Sequence, residues 1–160
     1  FISHELGEAR RRGDRIALMQ DGQVLQCGTA QSLLRDPASA AVRHFFRDID
    51  TAAVLDVAAI ASPPSHCVVH SGGDLSALNP YVGDPLYVVD GRKQLIGVRS
   101  GSDGWIGADQ LVTLRSGMRV RDAISTVATL PYPPPVLDGE GCFLGVIDPR
   151  QLLQSLEVSL

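Results

Sequence analysis

The feature that most constrains this 160-residue chain is an internal repeat with an offset of 48 residues. Val88-Val89-Asp90-Gly91 is followed by Leu95-Ile96-Gly97-Val98. Val136-Leu137-Asp138-Gly139 is followed by Phe143-Leu144-Gly145-Val146. Upstream, Asp74-Leu75-Ser76-Ala77-Leu78 lies opposite Asp122-Ala123-Ile124-Ser125-Thr126 at the same offset. Each copy reads as a helix, a strand, a tight turn begun by Asp-Gly and a second strand. The second copy closes with a helix from Pro149, because proline suits a first helical position and Asp148 suits the N-cap. The first copy lacks such a helix. Arg99 to Gly107 is Gly/Ser-rich and reads as loop, with Ala108 to Leu111 a short helical turn. One copy is too small to bury both faces of its sheet, so the expectation is two copies packed on one core.

The first fifty residues carry a different pattern. Phe1-Ile2 followed by Ser3-His4 reads as the end of a buried strand. Glu5 to Arg12 fits a helix stopped by Gly13. Arg15 to Met19 and Val24 to Gln26 read as a hairpin closed at Asp21-Gly22. Thr29 can cap a helix over Ala30 to Leu34, Pro37 breaks it, and a further helix runs from Ser39 to Arg47. Phe45 and Phe46 lie on its apolar stripe and are expected to need cover from elsewhere.

Charge and composition exclude several roles. Fourteen Lys and Arg stand against eighteen Asp and Glu, a net charge of −4. No basic stripe exists to neutralise phosphates, so nucleic acid is not an expected partner. Cys27, Cys67 and Cys142 lack metal-ligand spacing, and their apolar neighbours suggest reduced core residues. No metal site is expected from the four histidines. Without a signal peptide or a long apolar run, the reading is a cytosolic chain that reaches a membrane only through partners. Trp105 is expected to close the core of the first copy, or else to act as a lid near Ser100 and Asp103.

The N-terminal stretch resembles the C-terminal end of an ABC-transporter ATPase domain. Ser3-His4, Gly13-Asp14-Arg15-Ile16, Asp21-Gly22-Gln23-Val24 and Gly28-Thr29 carry the likeness in the right order. Asp36-Pro37-Ala38 and Val42-Arg43-His44-Phe45-Phe46 narrow it to the glycine betaine/proline importers. The resemblance implies that His4 is the switch histidine facing the γ-phosphate in an intact ATPase using ATP and Mg²⁺. No G-x-x-x-x-G-K-[ST] occurs in this sequence, so catalysis is not expected of this chain itself.

The repeat resembles a tandem pair of cystathionine-β-synthase-type (CBS) repeats. It implies an α+β fold with paired βαββα units, laid out as residues 1–50 for the ATPase end, 51–110 for a degenerate first repeat and 111–160 for the second. Two partners are implied, a second copy in a homodimer and a transmembrane permease, with the subunit on the cytoplasmic membrane face. It also implies a possible adenine nucleotide, held by a Gly-x-x-[Ser/Thr]-x-x-Asp run. Gly97-Val98-Arg99-Ser100-Gly101-Ser102-Asp103 keeps that run, making Ser100 and Asp103 the candidate site. Gly145 to Gln151 departs from it, with Asp148 at the hydroxyl position and Gln151 at the ribose position. Arg115, Arg119 and Arg121 form a candidate salt-sensitive contact for osmotic regulation of transport. The open alternatives are an adenine-nucleotide or cyclic-dinucleotide sensor and a dimerisation domain without ligand.

Overall fold

A computed structural model of the chain describes residues 15–47, 49–70, 72, 75, 85–101 and 104–157. His4, Asp103, the helix expected at Glu5 to Arg12 and, apart from Leu75, the helix expected from Asp74 lie outside them. The chain divides into two compact units, Phe1–Leu55 with Ser155–Leu160, and Asp56–Gln154. No helix among the described residues is long and apolar enough to cross a membrane.

In the first unit, β1 (Ile16–Gln20) and β2 (Gln23–Gly28) form an antiparallel hairpin. Asp21 and Gly22 take φ of 52° and 77°, the left-handed pair that matches the twist of the flanking strands. Helix α1 (Ala30–Arg35) is capped by Thr29, whose hydroxyl accepts from the Ser32 N–H at 3.1 Å. Helix α2 (Ala40–Phe45) is capped by Ser39, and α3 (Thr51–Val54) by Asp50. The Gln26 amide fixes the Pro37 break by donating to Asp36 O at 2.9 Å and accepting from Ala38 N at 2.8 Å. Leu33 and Val42 are fully buried, and Phe46 is 4% exposed. Phe46 is therefore covered, against expectation, whereas Phe45 remains 47% exposed. Phe45 is the last residue of α2 and Phe46 its C-cap, so their side chains leave the helix end in different directions.

The second unit opens with α4 (Val57–Ile60) and holds both copies of the repeat. The first copy is a four-stranded sheet ordered β3 (His66–Val69), β4 (Leu86–Val89), β5 (Leu95–Ser100), β6 (Gly104–Gly107). The second is ordered β7 (Leu114–Arg115), β8 (Pro135–Leu137), β9 (Phe143–Val146). Helix α5 (Val120–Thr129) precedes β8, and α6 (Pro149–Glu157) follows β9. In both copies the first strand pairs parallel to the second, and the second antiparallel to the third. Val88 faces Gly97 and Val136 faces Gly145, and each hairpin has a register shift immediately after that pair. The parallel registers differ: His66 faces Leu86, while Leu114 faces Val136 instead of residue 134. A two-residue slip preserves which side chains point inward, so the core tolerates it.

The turns repeat in atomic detail. Asp90 Oδ1 accepts from the N–H groups of Arg92 and Gln94, and Asp138 Oδ1 from those of Glu140 and Cys142, all at 2.8–2.9 Å. The left-handed residue is the third after the aspartate, Lys93 (φ 62°) in one copy and Gly141 (φ 84°) in the other. The two tips meet through a Gln94–Cys142 bridge and a 2.8 Å bond from Phe143 N to Lys93 O. An L-residue in this region is strained where glycine is not. Lys93→Gly is therefore expected to stabilise the fold by roughly 0.5–1 kcal/mol and Gly141→Ala to destabilise it by about 1 kcal/mol. Denaturant midpoints of both variants test this, and equal shifts of the same sign would refute it.

One core serves both copies. Tyr87, Val89, Leu95 and Val98 of the first pack with Leu111, Tyr132 and Val146 of the second, flanked by Ile106, Leu130, Leu137 and Phe143. The Tyr87 ring stacks on Phe143 at 5.8 Å.

Two expectations are corrected. The stretch from Arg99 to Gly107 is not a loop, because β5 continues to Ser100 and β6 pairs back on it over residues 104–107. Trp105 lies against Gly97, where an added Cβ would come within 2.4 Å of its ring. The strand is invisible locally because only Trp105 and Ile106 give it side chains, and its order comes from pairing. The cysteines are not core residues: Cys27 and Cys67 are exposed and Cys142 is half-buried. Cys67 sits on the edge strand β3, whose burial alternates along the strand, so its apolar neighbours do not enclose it.

Candidate functional site

A cleft of about 580 Å³ opens in the second unit. Its walls are Ser62 to Ser65, Pro85 and Tyr87 at the start of β4, Leu130 to Pro133 ahead of β8, Val146, and Asp148 to Gln151 with Gln154 on α6. Such a volume is ordinary for a small-molecule site.

The Ser62 segment is held by its backbone. Ser62 N donates to Val146 O at 3.0 Å, and Val146 N donates to Ser62 O at 2.9 Å. Gly145 permits this approach: its φ is 150°, and a Cβ there would lie 2.5 Å from Ser62 O. The Gln151 amide Nε2 then donates to Ser62 Oγ at 2.7 Å. On the facing wall the Tyr87 hydroxyl donates to Pro133 O at 2.5 Å. Burial pushes the Tyr87 hydroxyl well above the usual tyrosine range, with further contributions from Tyr132 and the Asp148 carboxylate.

The start of α6 decides the polarity of the cleft. Asp148 Oδ1 accepts from Arg150 N at 2.7 Å, and Asp148 O accepts from Leu152 N, so this aspartate caps the helix as its sequence suggested. Six of the sixteen described lining residues are prolines. None of them offers a backbone N–H, which leaves the walls fewer main-chain donors than main-chain acceptors.

The sequence-predicted residues fall in different places. Ser100 ends β5, pairs with Gly104, and is absent from the cleft lining. Asp148 and Gln151, which depart from the family run, are the ones that line it. Arg119 is the N-cap of α5, and its guanidinium pairs with the Asp56 carboxylate while remaining 41% exposed. Asp56 and Arg119 also form a backbone bridge. Arg115 on β7 and Arg121 in the first turn of α5 are exposed. Sequence reasoning missed Ser62 and Tyr87. The run of prolines near both was the available signal, since prolines shape walls that helices and sheets do not fill.

The comparisons bear on what this fold is. The chain is 35% identical over 177 aligned positions to the glycine betaine/proline betaine transport ATP-binding protein ProV of Salmonella typhimurium, covering 98% of this chain. It is 30% identical over 163 positions to the glycine betaine transport ATP-binding protein OpuAA of Bacillus subtilis, covering 99% of this chain. The chain matches the C-terminal, CBS-pair part of betaine ABC-transporter ATP-binding subunits. It spans 44% of the length of the Salmonella relative and 38% of the Bacillus one. No family model matches the chain. Among solved structures, the CBS pair of a putative Mg²⁺ transporter from Shewanella oneidensis aligns with a TM-score of 0.51 at 12% identity, over 79% of this chain and 83% of that one. CBSX2, solved in complex with AMP, aligns with a TM-score of 0.50 at 18% identity, over 63% of this chain and 95% of that one. At these identities the likeness concerns the fold, which is the α+β CBS pair expected from the repeat.

Proposed function

We propose that the chain is the regulatory part of the ATP-hydrolysing subunit of a compatible-solute importer, and that it tunes transport to ionic or osmotic conditions. The observation that carries this is a sequence match to betaine-transport ATP-binding proteins running across 98% of the chain, first fifty residues and repeats alike. The chain itself is then a non-catalytic module. Residues 51–110 and 111–160 act as its two repeats behind the ATPase end. In the whole protein, His4 would face ATP, Mg²⁺ would assist, and a permease at the cytoplasmic membrane face would be the partner. A homodimer is the assembly this reading favours. The cleft beside α6 is its ligand site, with an adenine-type ligand as the candidate, since the similarly folded CBSX2 was solved with AMP. The run through Ser100 and Asp103 is the second place for such a ligand.

Salt sensing is assigned to Arg115, Arg119 and Arg121. An exposed cationic contact weakens as the Debye length falls from about 10 Å at 0.1 M to about 3 Å at 1 M. Because Arg119 already holds Asp56, its share of the effect runs through that pair. Replacing the three arginines with glutamine in the full transporter is expected to lower the internal salt needed for half-maximal transport by about twofold or more, as the screened contact is lost. Asp56→Asn alone is expected to move it part of the way. An activation curve unchanged in both would remove these residues from the mechanism.

A further inference from the structure

We propose that the cleft beside α6 selects an unphosphorylated nucleoside over the corresponding nucleotide. This rests on the reading of the cleft as a site for adenine-type ligands, and it specifies which of them the walls accept.

A phosphate in a cleft wants backbone N–H groups at a helix start, a hydroxyl donor and positive charge. The start of α6 offers little of this. Asp148 fills the cap, and its Oδ1 already takes the Arg150 N–H at 2.7 Å. Pro149 brings no N–H to the first helical position. The Asp148 carboxylate also lines the cleft, and it would repel a phosphate bound beside it. Among the described lining residues the sole cationic side chain is Arg150, which is exposed. The walls instead present acceptors. Asp148 and the side-chain carbonyl of Gln154 can take hydrogen bonds from ribose hydroxyls and an exocyclic amine, while the Ser62 hydroxyl and the Gln151 amide bond to each other at 2.7–3.0 Å and each oxygen keeps one further lone pair. The proline and tyrosine walls suit a flat ring, and about 580 Å³ holds a nucleoside with room to spare.

The test is calorimetric titration of the chain with adenosine, AMP and ATP in Mg²⁺-free buffer, repeated with Asp148→Asn. Asparagine caps helices as well as aspartate does, so α6 keeps its start while the charge is removed. The expected result is adenosine binding at least tenfold tighter than AMP or ATP to the parent chain. In Asp148→Asn the nucleotide affinities rise about tenfold relative to that of adenosine. Nucleotides binding the parent as tightly as adenosine, or an unchanged ratio in Asp148→Asn, would overturn the proposal and leave the adenine reading of the cleft intact. Failure of all three to bind would overturn that reading and the proposal with it. A Ser62→Trp variant, which fills the cleft from its rim, should abolish adenosine binding; retained binding would place the ligand elsewhere and also overturn the proposal.

Discussion

Gly145→Ala is expected to be the most damaging single-methyl change in the second unit. Two costs combine at this position. The backbone has φ of 150°, a region nearly closed to residues with a Cβ. The added methyl would also lie 2.5 Å from Ser62 O and 2.9 Å from Ser62 C, and this neighbour is backbone fixed by two hydrogen bonds. Strain and overpacking together are worth roughly 3 kcal/mol. For a unit of this size that corresponds to a melting-temperature loss on the order of 12–20 °C. Gly97 is the repeat equivalent and supplies the control. A Cβ there meets the Trp105 ring at 2.4 Å and a backbone oxygen, that of Ile106, at 2.5 Å, but the φ is not left-handed, so overpacking acts there without the backbone strain. Gly97→Ala should therefore cost clearly less. Thermal melts of the two variants rank them, and a Gly145→Ala melt within about 2 °C of the parent would contradict the close approach of the Ser62 segment.

Tyr87→Phe is expected to cost about 1 kcal/mol, because it removes the bond to the Pro133 carbonyl at the cleft wall. Tyr87 itself is 1% exposed. The same variant carries a pH signature. The unfolded tyrosine loses its proton near pH 10, while burial keeps the folded Tyr87 protonated well beyond that. Above pH 10 the folded state thus holds more protons than the unfolded state, and stability must fall as pH rises. The contribution is complete below pH 10 and declines by up to about 1.4 kcal/mol per pH unit above it. Denaturant unfolding from pH 8 to 11 should show a steeper alkaline decline in the parent than in Tyr87→Phe. Parallel declines would mean that the hydroxyl is not buried as described.

Much of the architecture was legible because its determinants are local. Asp21-Gly22 demands a left-handed pair, Thr29 and Ser39 cap the helices that follow them, and Asp148-Pro149 starts α6. The strand spacing of one copy predicted the other, since both hairpins bulge after the same glycine-facing valine. The left-handed residue of the turn was less legible. Attention falls on Gly91 and Gly139, yet the strained position is two residues later, where one copy has lysine. Side-chain burial was legible in part: Phe46 and Phe45 are equivalent in composition and opposite in exposure.

The sequence by itself determined the duplicated unit, the caps and turns, the separate character of the first fifty residues and the likeness to the betaine-importer ATPases. These depend on residue types a few positions apart, or on comparing the chain with itself. Only the tertiary structure decided that residues 104–107 form a strand, that the cysteines escape the core, that Arg119 is held by Asp56, and that the cleft gathers Ser62, Tyr87, Tyr132, Asp148 and Gln151. Each of those outcomes depends on pairing or packing between segments far apart in the chain. The energy of such contacts belongs to the partners jointly, so neither segment read alone contains it.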